Sequence, residues 1–130
     1  MFNEIDLLSV FVAAIAAFIV GAIWYSPMLF LTRWSAEAGV NPDEEVSNPV
    51  KVYGLTFIYT LLASFSMAFI LAPNTDILTA ISTALVVGVG IVAGSLGINY
   101  QFALNSTVHW LIDSGFHIVR LMVIALVLSL

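Results

Sequence analysis

The sequence predicts an all-α polytopic membrane protein in which four transmembrane helices form an up-down bundle. Of its 130 residues, 62% are hydrophobic and only 8% are charged, whereas a soluble domain is about half apolar and about a quarter charged. Four segments stay apolar over the ~20 residues that a helix needs to cross a bilayer core of ~30 Å. Consecutive spans therefore cross the membrane in opposite directions, joined by three connections.

The four predicted spans fill a single domain that covers residues 1–130. They lie at about residues 7–30, 50–72, 77–104 and 107–130. Their starts carry helix-initiation signals: Asn48 caps a helix with Pro49 at its first position, Asp76 supplies a carboxylate, and Asn105 or Ser106 can cap the last span. The acidic N-terminus lacks the basic region of a signal peptide, so we predict that the first span is retained.

The connection over residues 31–50 is the longest of the three and sets the predicted orientation. The run Asn41-Pro42-Asp43-Glu44-Glu45 has the cap, proline and acidic first turn of a short helix, so residues 41–45 are predicted to be helical. Arg33 and Lys51 flank this connection, and the other two connections carry no basic residue. The positive-inside rule then places the 31–50 loop in the cytoplasm and both termini outside.

Composition also limits the chemistry available to this chain. A net charge of −5 with three basic residues excludes a surface that tracks nucleic-acid phosphates. Without cysteine there is no disulfide, thiolate metal site or thiol nucleophile. His109 and His117 lie ~12 Å apart along a helix axis, so one metal ion cannot bind both. We therefore predict no cofactor, no metal and no catalytic residue, and the lipid bilayer as the environment.

Polar and aromatic side chains concentrate at one membrane face. Because the spans alternate in direction, the ends of the first and third helices share this face with the starts of the second and fourth. An interfacial aromatic belt accounts for Trp34, Tyr53 and Trp110, but not for the one-sided distribution. We predict a polar pocket in this half of the bilayer. Its residues are His109, Asp113, His117, Arg120, Asn99, Tyr100, Trp24 and Tyr25.

The fourth helix carries the most polar part of this pocket. At 100° per residue, His109, Asp113, His117 and Arg120 fall within an arc of roughly 80°. A central Asp or Arg facing lipid costs about 2.5–3.5 kcal/mol, so the stripe must face the bundle interior. We predict that Asp113 is ionised and hydrogen-bonded there. The candidate partners are His117, Asn99 and Tyr100.

Three interpretations of the polar stripe remain open. In the first, it lines a pathway for a small solute, a proton or an ion, with His117 carrying a proton. In the second, Asp113 and Arg120 neutralise each other, and the network serves only to fix helix packing in a structural or accessory subunit. The third is an intramembrane enzyme, which too few metal ligands disfavour.

Small residues on two helices favour close helix packing. Ala13, Ala17 and Gly21 follow an i,i+4 spacing on the first helix, and Gly90 and Gly94 do so on the third. Such residues let backbones approach in lipid, and the default is packing within one subunit. The same faces could join subunits, so we also predict a homo-oligomer, with a dimer favoured.

Several motifs together resemble a known family. GAIWYSPMLF at 21–30 is followed by Trp34 and Gly39, and NYQF at 99–102 is followed by LIDSGFH at 111–117. Over essentially the whole chain, this pattern is similar to the Domain of Unknown Function 1761 family of small bacterial membrane proteins. The resemblance implies a four-helix protein of the bacterial inner membrane. It implies no activity and no catalytic residue.

Overall fold

The computed structural model describes residues 4–130, and the described chain is helical without strands. Four of its helices are long and apolar enough to cross a membrane, which confirms the predicted fold class. The helices are α1 (Leu7–Trp24), α2 (Leu31–Ala38), α3 (Pro49–Ile70), α4 (Ile77–Phe102) and α5 (Thr107–Ser129). The short α2 lies in the first connection, and the other four are the spans.

Each span begins where a side chain can accept a hydrogen bond from the first turn. Asp6 accepts from the Leu8 amide at 3.1 Å, and Asn48, ahead of Pro49, accepts from the Lys51 amide at 3.3 Å. In the same way Asp76 accepts from the Thr79 amide and Ser106 accepts from the His109 amide, both at 3.0 Å. These bonds satisfy amides that have no partner inside the helix, which explains why the starts lie close to the predicted positions.

The first span and the loop helix differ from the sequence-based expectation. The first span ends at Trp24 rather than near residue 30, since Pro27 disfavours continuation of the helix. The predicted helix at 41–45 is wrong, because Asn41 accepts the Asp43 amide in a turn instead. The loop helix is α2, and it ends at Gly39, whose φ of 72° suits a glycine.

The half of the bundle away from the 31–50 loop contains a packed apolar core. We call its most buried members the apolar plug. They are Ala13, Ala17, Met67, Ala80, Ala84, Leu121, Ile124 and Ala125. None of these side chains is more than 3% exposed, and Ser64 ties α3 to α1 there by donating a hydrogen bond to the Val10 carbonyl at 2.8 Å. The alanines of α1 therefore pack within the subunit, as predicted.

Helix α4 changes its hydrogen-bond pattern at its centre, where Val86–Ala93 is π-helical. Gly88 in this segment lets α5 approach closely, because a Cβ there would lie 3.2 Å from the Ile118 Cα. Gly90 and Gly94 are exposed, and a Cβ added at either would have no neighbouring atom within 4 Å. The prediction that these two glycines pack inside the subunit is therefore wrong.

The loop-side half of α3 stands apart from the bundle. Every residue from 49 to 56 is exposed, and a Cβ at Gly54 would meet nothing within 4 Å. From Phe57 onward the helix packs onto α1. The Phe57 ring there meets the rings of Phe11 and Phe18 edge-on. The loop-side half of the bundle is thus held by α1, α2, α4 and α5, and it is open on the side of α3.

Candidate functional site

The candidate site is built around the buried carboxylate of Asp113, which is 9% exposed. The Tyr25 hydroxyl donates to Oδ1 at 2.5 Å, and the Tyr100 hydroxyl donates to Oδ2. His109 Nε2 lies 3.3 Å from the same Oδ2. One side chain of α5 therefore gathers partners from α1, from α4 and from its own preceding turn. We call these four residues the Asp113 cluster.

The ends of two helices place the tyrosines at the depth of Asp113. Tyr25 terminates α1, where its amide bonds the Gly21 carbonyl, and Tyr100 lies in the last turn of α4. Asp113 is the seventh residue of α5, ~9 Å along its axis. Shared depth in an up-down bundle thus brings together residues that are far apart in sequence.

Three residues were expected to form a hydrogen bond with Asp113, and only one of them does. Tyr100 does so, but His117 bonds elsewhere and the Asn99 side chain is exposed, without a hydrogen-bond partner among residues 4–130. Neighbouring helical residues point about 100° apart, so turning Tyr100 inward turns Asn99 outward. Tyr25 and His109 were expected near the pocket but not as partners of Asp113, although His109 lies at the informative i−4 spacing.

Two tryptophans brace the Asp113 cluster against the neighbouring helices. Trp24 Nε1 donates to the Ile112 carbonyl at 3.0 Å, and Trp110 Nε1 donates to the Ala93 carbonyl of the π-helical segment at 2.9 Å. Both indoles lie over glycines: a Cβ at Gly115 would approach Trp24 to 2.9 Å, and one at Gly97 would approach Trp110 to 3.2 Å. These contacts fix α1 and α4 against α5.

Helix α2 covers the cluster from the loop side. Glu37 accepts hydrogen bonds from Ser106 at 2.7 Å and from Arg33 at 3.0 Å, which ties α2 to the start of α5. The Ser106 bond, then Arg33, lowers the pKa of the Glu37 carboxyl, so this tether is ionised at neutral pH. The Trp34 indole meets the His109 ring edge-on, with centroids 5.9 Å apart. Sequence reasoning missed Glu37 because a helix was expected further along the loop.

Deeper in the membrane, Arg120 pairs with His117 instead of Asp113. Arg120 Nε donates to His117 Nδ1 at 2.8 Å, and the guanidinium carbon lies 5.9 Å from the Phe116 ring centre. An accepting Nδ1 makes His117 neutral, with its proton on Nε2. No carboxylate among residues 4–130 forms an ion pair with Arg120. The expectation that Asp113 and Arg120 neutralise each other directly is therefore wrong.

Several buried polar atoms around the site have no hydrogen-bond partner among the described residues. They are Trp34 Nε1, Ser35 Oγ, His109 Nδ1, Ser114 Oγ and Arg120 Nη1. Buried polar groups normally find partners, because each one left without costs about 1–3 kcal/mol. All five lie on α2 or on the part of α5 from its start to Arg120. None belongs to the apolar plug.

Two cavities flank the bundle at opposite faces. A groove of about 400 Å³ runs beside Tyr100, Ser106 and Trp110, next to the Asp113 cluster. A cleft of about 700 Å³ at the other face is lined by residues near both chain ends, among them Asp6 and Leu130. Asp113 itself borders neither cavity. Around this carboxylate, packed side chains therefore stand where a pocket was predicted.

Within residues 4–130, no group of three or more His, Asp or Glu side chains could hold a metal ion. Comparison with known proteins gave one result. A family model described as "Protein of unknown function (DUF1761)" matches residues 8–129, nearly the whole chain. Neither curated proteins nor solved structures gave a match.

Proposed function

The chain belongs to the DUF1761 family, and on that footing we propose that it is a membrane protein with a one-sided polar binding site. Its ligand is a small solute, an ion or a proton, which reaches the stripe of α5 without crossing the bilayer. The observation that carries this proposal is where the stripe ends. Beyond Arg120, α5 enters the apolar plug, in which Ile124 and Ala125 are 0% exposed.

Access to the site is supported by the separation of α3 from the bundle. His117 and Arg120 are partly exposed even though they lie deep within the last span. The residues of α3 on the loop side, from 49 to 56, are all exposed, so the bundle above this pair is open on the side of α3. A solute can therefore approach this pair from the loop-side half, whereas the plug closes the other half.

Cysteine accessibility tests the one-sided site without background, because the natural chain has no cysteine. We expect the His117→Cys variant to react with a membrane-impermeant thiol reagent added on the loop side only. The Ile124→Cys variant, altered in the plug, should react from neither side. Leu126→Cys, at a position 38% exposed and of similar depth, is the control for a thiol facing lipid. Reaction of the Ile124→Cys variant from both sides would instead indicate a continuous pathway.

A second candidate function, that of a structural or accessory subunit, is favoured by the Asp113 cluster. Both carboxylate oxygens have donors, and these come from α1 and α4. A carboxylate so completely paired stabilises one arrangement of helices, as a buried network that only fixes packing would. An unreactive thiol in the His117→Cys variant would favour this function over a binding site.

We also propose an orientation, with the 31–50 loop in the cytoplasm and both termini on the outer side of a bacterial inner membrane. Arg33 and Lys51, both exposed at the ends of this loop, support it. Reporter fusions within residues 40–48 and after Leu130 should show cytoplasmic and external activity, respectively. A cytoplasmic signal from the C-terminal fusion would reverse the orientation.

A homo-oligomer, with a dimer favoured, is the remaining proposal. The outward Gly90 and Gly94 and the unpacked start of α3 support it, because each offers a surface on which a second copy could pack. We expect native mass spectrometry in mild detergent to show a species of two subunits. Gly90→Leu should shift the population toward monomer, and a wild-type monomer in both detergent and lipid nanodiscs would contradict the proposal.

A further inference from the structure

We infer that Arg120, oriented by its hydrogen bond to His117, binds the carboxylate of an anionic ligand. This inference rests on the proposed one-sided site and names its ligand class. Arg120 is the fourteenth residue of a 23-residue span, ~20 Å along the helix axis from Thr107. At this depth its guanidinium is close to the centre of a bilayer core of ~30 Å, where an unpaired cation is costly.

No carboxylate among residues 4–130 pairs directly with this cation. A guanidinium remains protonated in proteins, and the hydrogen-bond partner of Arg120 is the neutral ring of His117. Asp113 lies seven residues away, ~10.5 Å along the axis, and its oxygens are occupied by Tyr25 and Tyr100. The other acidic side chains of residues 4–130 lie outside the spans. Arg120 thus has no carboxylate partner at its own depth.

The geometry of the remaining donors fits a carboxylate. Because Nε is engaged with His117, the two terminal nitrogens of Arg120 remain, and Nη1 has no partner among the described residues. Two parallel N–H groups of a guanidinium match the two oxygens of a carboxylate. The bond to His117 also holds the guanidinium and so fixes the direction of these terminal nitrogens. A carboxylate also carries the single negative charge that one guanidinium pairs with.

A carboxylate can arrive from the bilayer or from water, and the structure suggests both entrances. The exposed apolar residues of α3, such as Val52 and Leu55, border the open side and suit the chain of a lipophilic acid. A small carboxylate would instead enter from the loop side. The recognition chemistry at Arg120 is the same for both, so the probes must differ in their apolar part.

The test compares oleate with acetate on the full-length protein. For oleate, native mass spectrometry counts bound acid, with oleyl alcohol as the neutral control. For acetate, the shift in melting temperature is measured against chloride at equal ionic strength. The variant is Arg120→Gln, and Arg33→Gln, which removes an exposed arginine outside the spans, is the matched control. Arg120→Lys keeps the positive charge but lacks the two parallel N–H groups of the guanidinium. It replaces the Gln variant in the test if that variant fails to fold.

We expect at least one acid to bind the wild type and Arg33→Gln, and to bind Arg120→Gln at least tenfold more weakly. Selective loss of oleate binding assigns the ligand to the bilayer, and selective loss of the acetate shift assigns it to water. Arg120→Lys should bind with intermediate affinity. Undiminished binding to the Arg120 variants, or no binding of either acid to the wild type, overturns the inference. If the His117→Cys variant nevertheless reacts from the loop side, the proposed one-sided site survives that outcome.

Discussion

Replacing Asp113 by Ala is expected to lower the free energy of unfolding by about 3–5 kcal/mol, the usual cost of removing one partner from a buried charged network. The Tyr25 and Tyr100 hydroxyls would lose their shared acceptor while remaining partly buried. Thermal unfolding in detergent, followed by the fluorescence of the tryptophans around the site, measures the loss. Ser114→Ala, a change at the adjacent buried position whose hydroxyl has no partner among the described residues, is the control and should cost little.

Double-mutant cycles separate the two charges of the stripe. Asp113→Asn combined with Tyr25→Phe should show a coupling energy of about 0.5–3 kcal/mol, because the two side chains share a hydrogen bond. Asp113→Asn combined with Arg120→Gln should be additive to within about 0.5 kcal/mol, because these charges have separate partners. Strong coupling in the second cycle would mean that Asp113 and Arg120 compensate each other across the two turns between them.

Gly115→Val is expected to cost about 1–3 kcal/mol or more, the usual range for overpacking a tight contact. Even the first added carbon would lie 2.9 Å from the Trp24 ring, which would have to move and would strain its hydrogen bond to the Ile112 carbonyl. Ala22→Val is the control, since it enlarges an exposed residue of a span, outside the apolar plug, the Asp113 cluster and the surfaces proposed for a second copy. Equal melting temperatures for the two variants would show that the Trp24 contact is dispensable.

The fold was predictable because its main signals are local. Long apolar segments indicate spans, and residues such as Asp76 and Ser106 mark their starts by capping the first turn. The end of α1 was less clear, because residues 25–30 are apolar enough to continue a span. Pro27 predicts a kink or an end of the helix in this region, but hydrophobicity does not say which, so the predicted span ran past Trp24.

The composition of the site was easier to predict than its pairing. Helical periodicity and shared depth brought Asp113, His109, Tyr100 and Tyr25 into one region, but they do not choose among partners. His109 and His117 lie at equal spacing on either side of Asp113, so the sequence treats them alike. The choice follows from tertiary contacts: Arg120 takes the His117 ring, while Trp34 and Tyr100 pack against His109.

The separation of Asp113 from Arg120 has an electrical consequence. If both are ionised, the pair forms a dipole along the membrane normal, with charges ~10.5 Å apart in a core of ~30 Å. A potential of ~100 mV across the membrane then changes its energy by ~0.8 kcal/mol. In the proposed orientation, with the 31–50 loop in the cytoplasm, the Asp113 carboxylate lies nearer the negative side and the voltage opposes the dipole. The electric field would then draw Arg120 toward Asp113. A ligand carboxylate bound to Arg120 would neutralise the guanidinium and so cancel the electrical force on it.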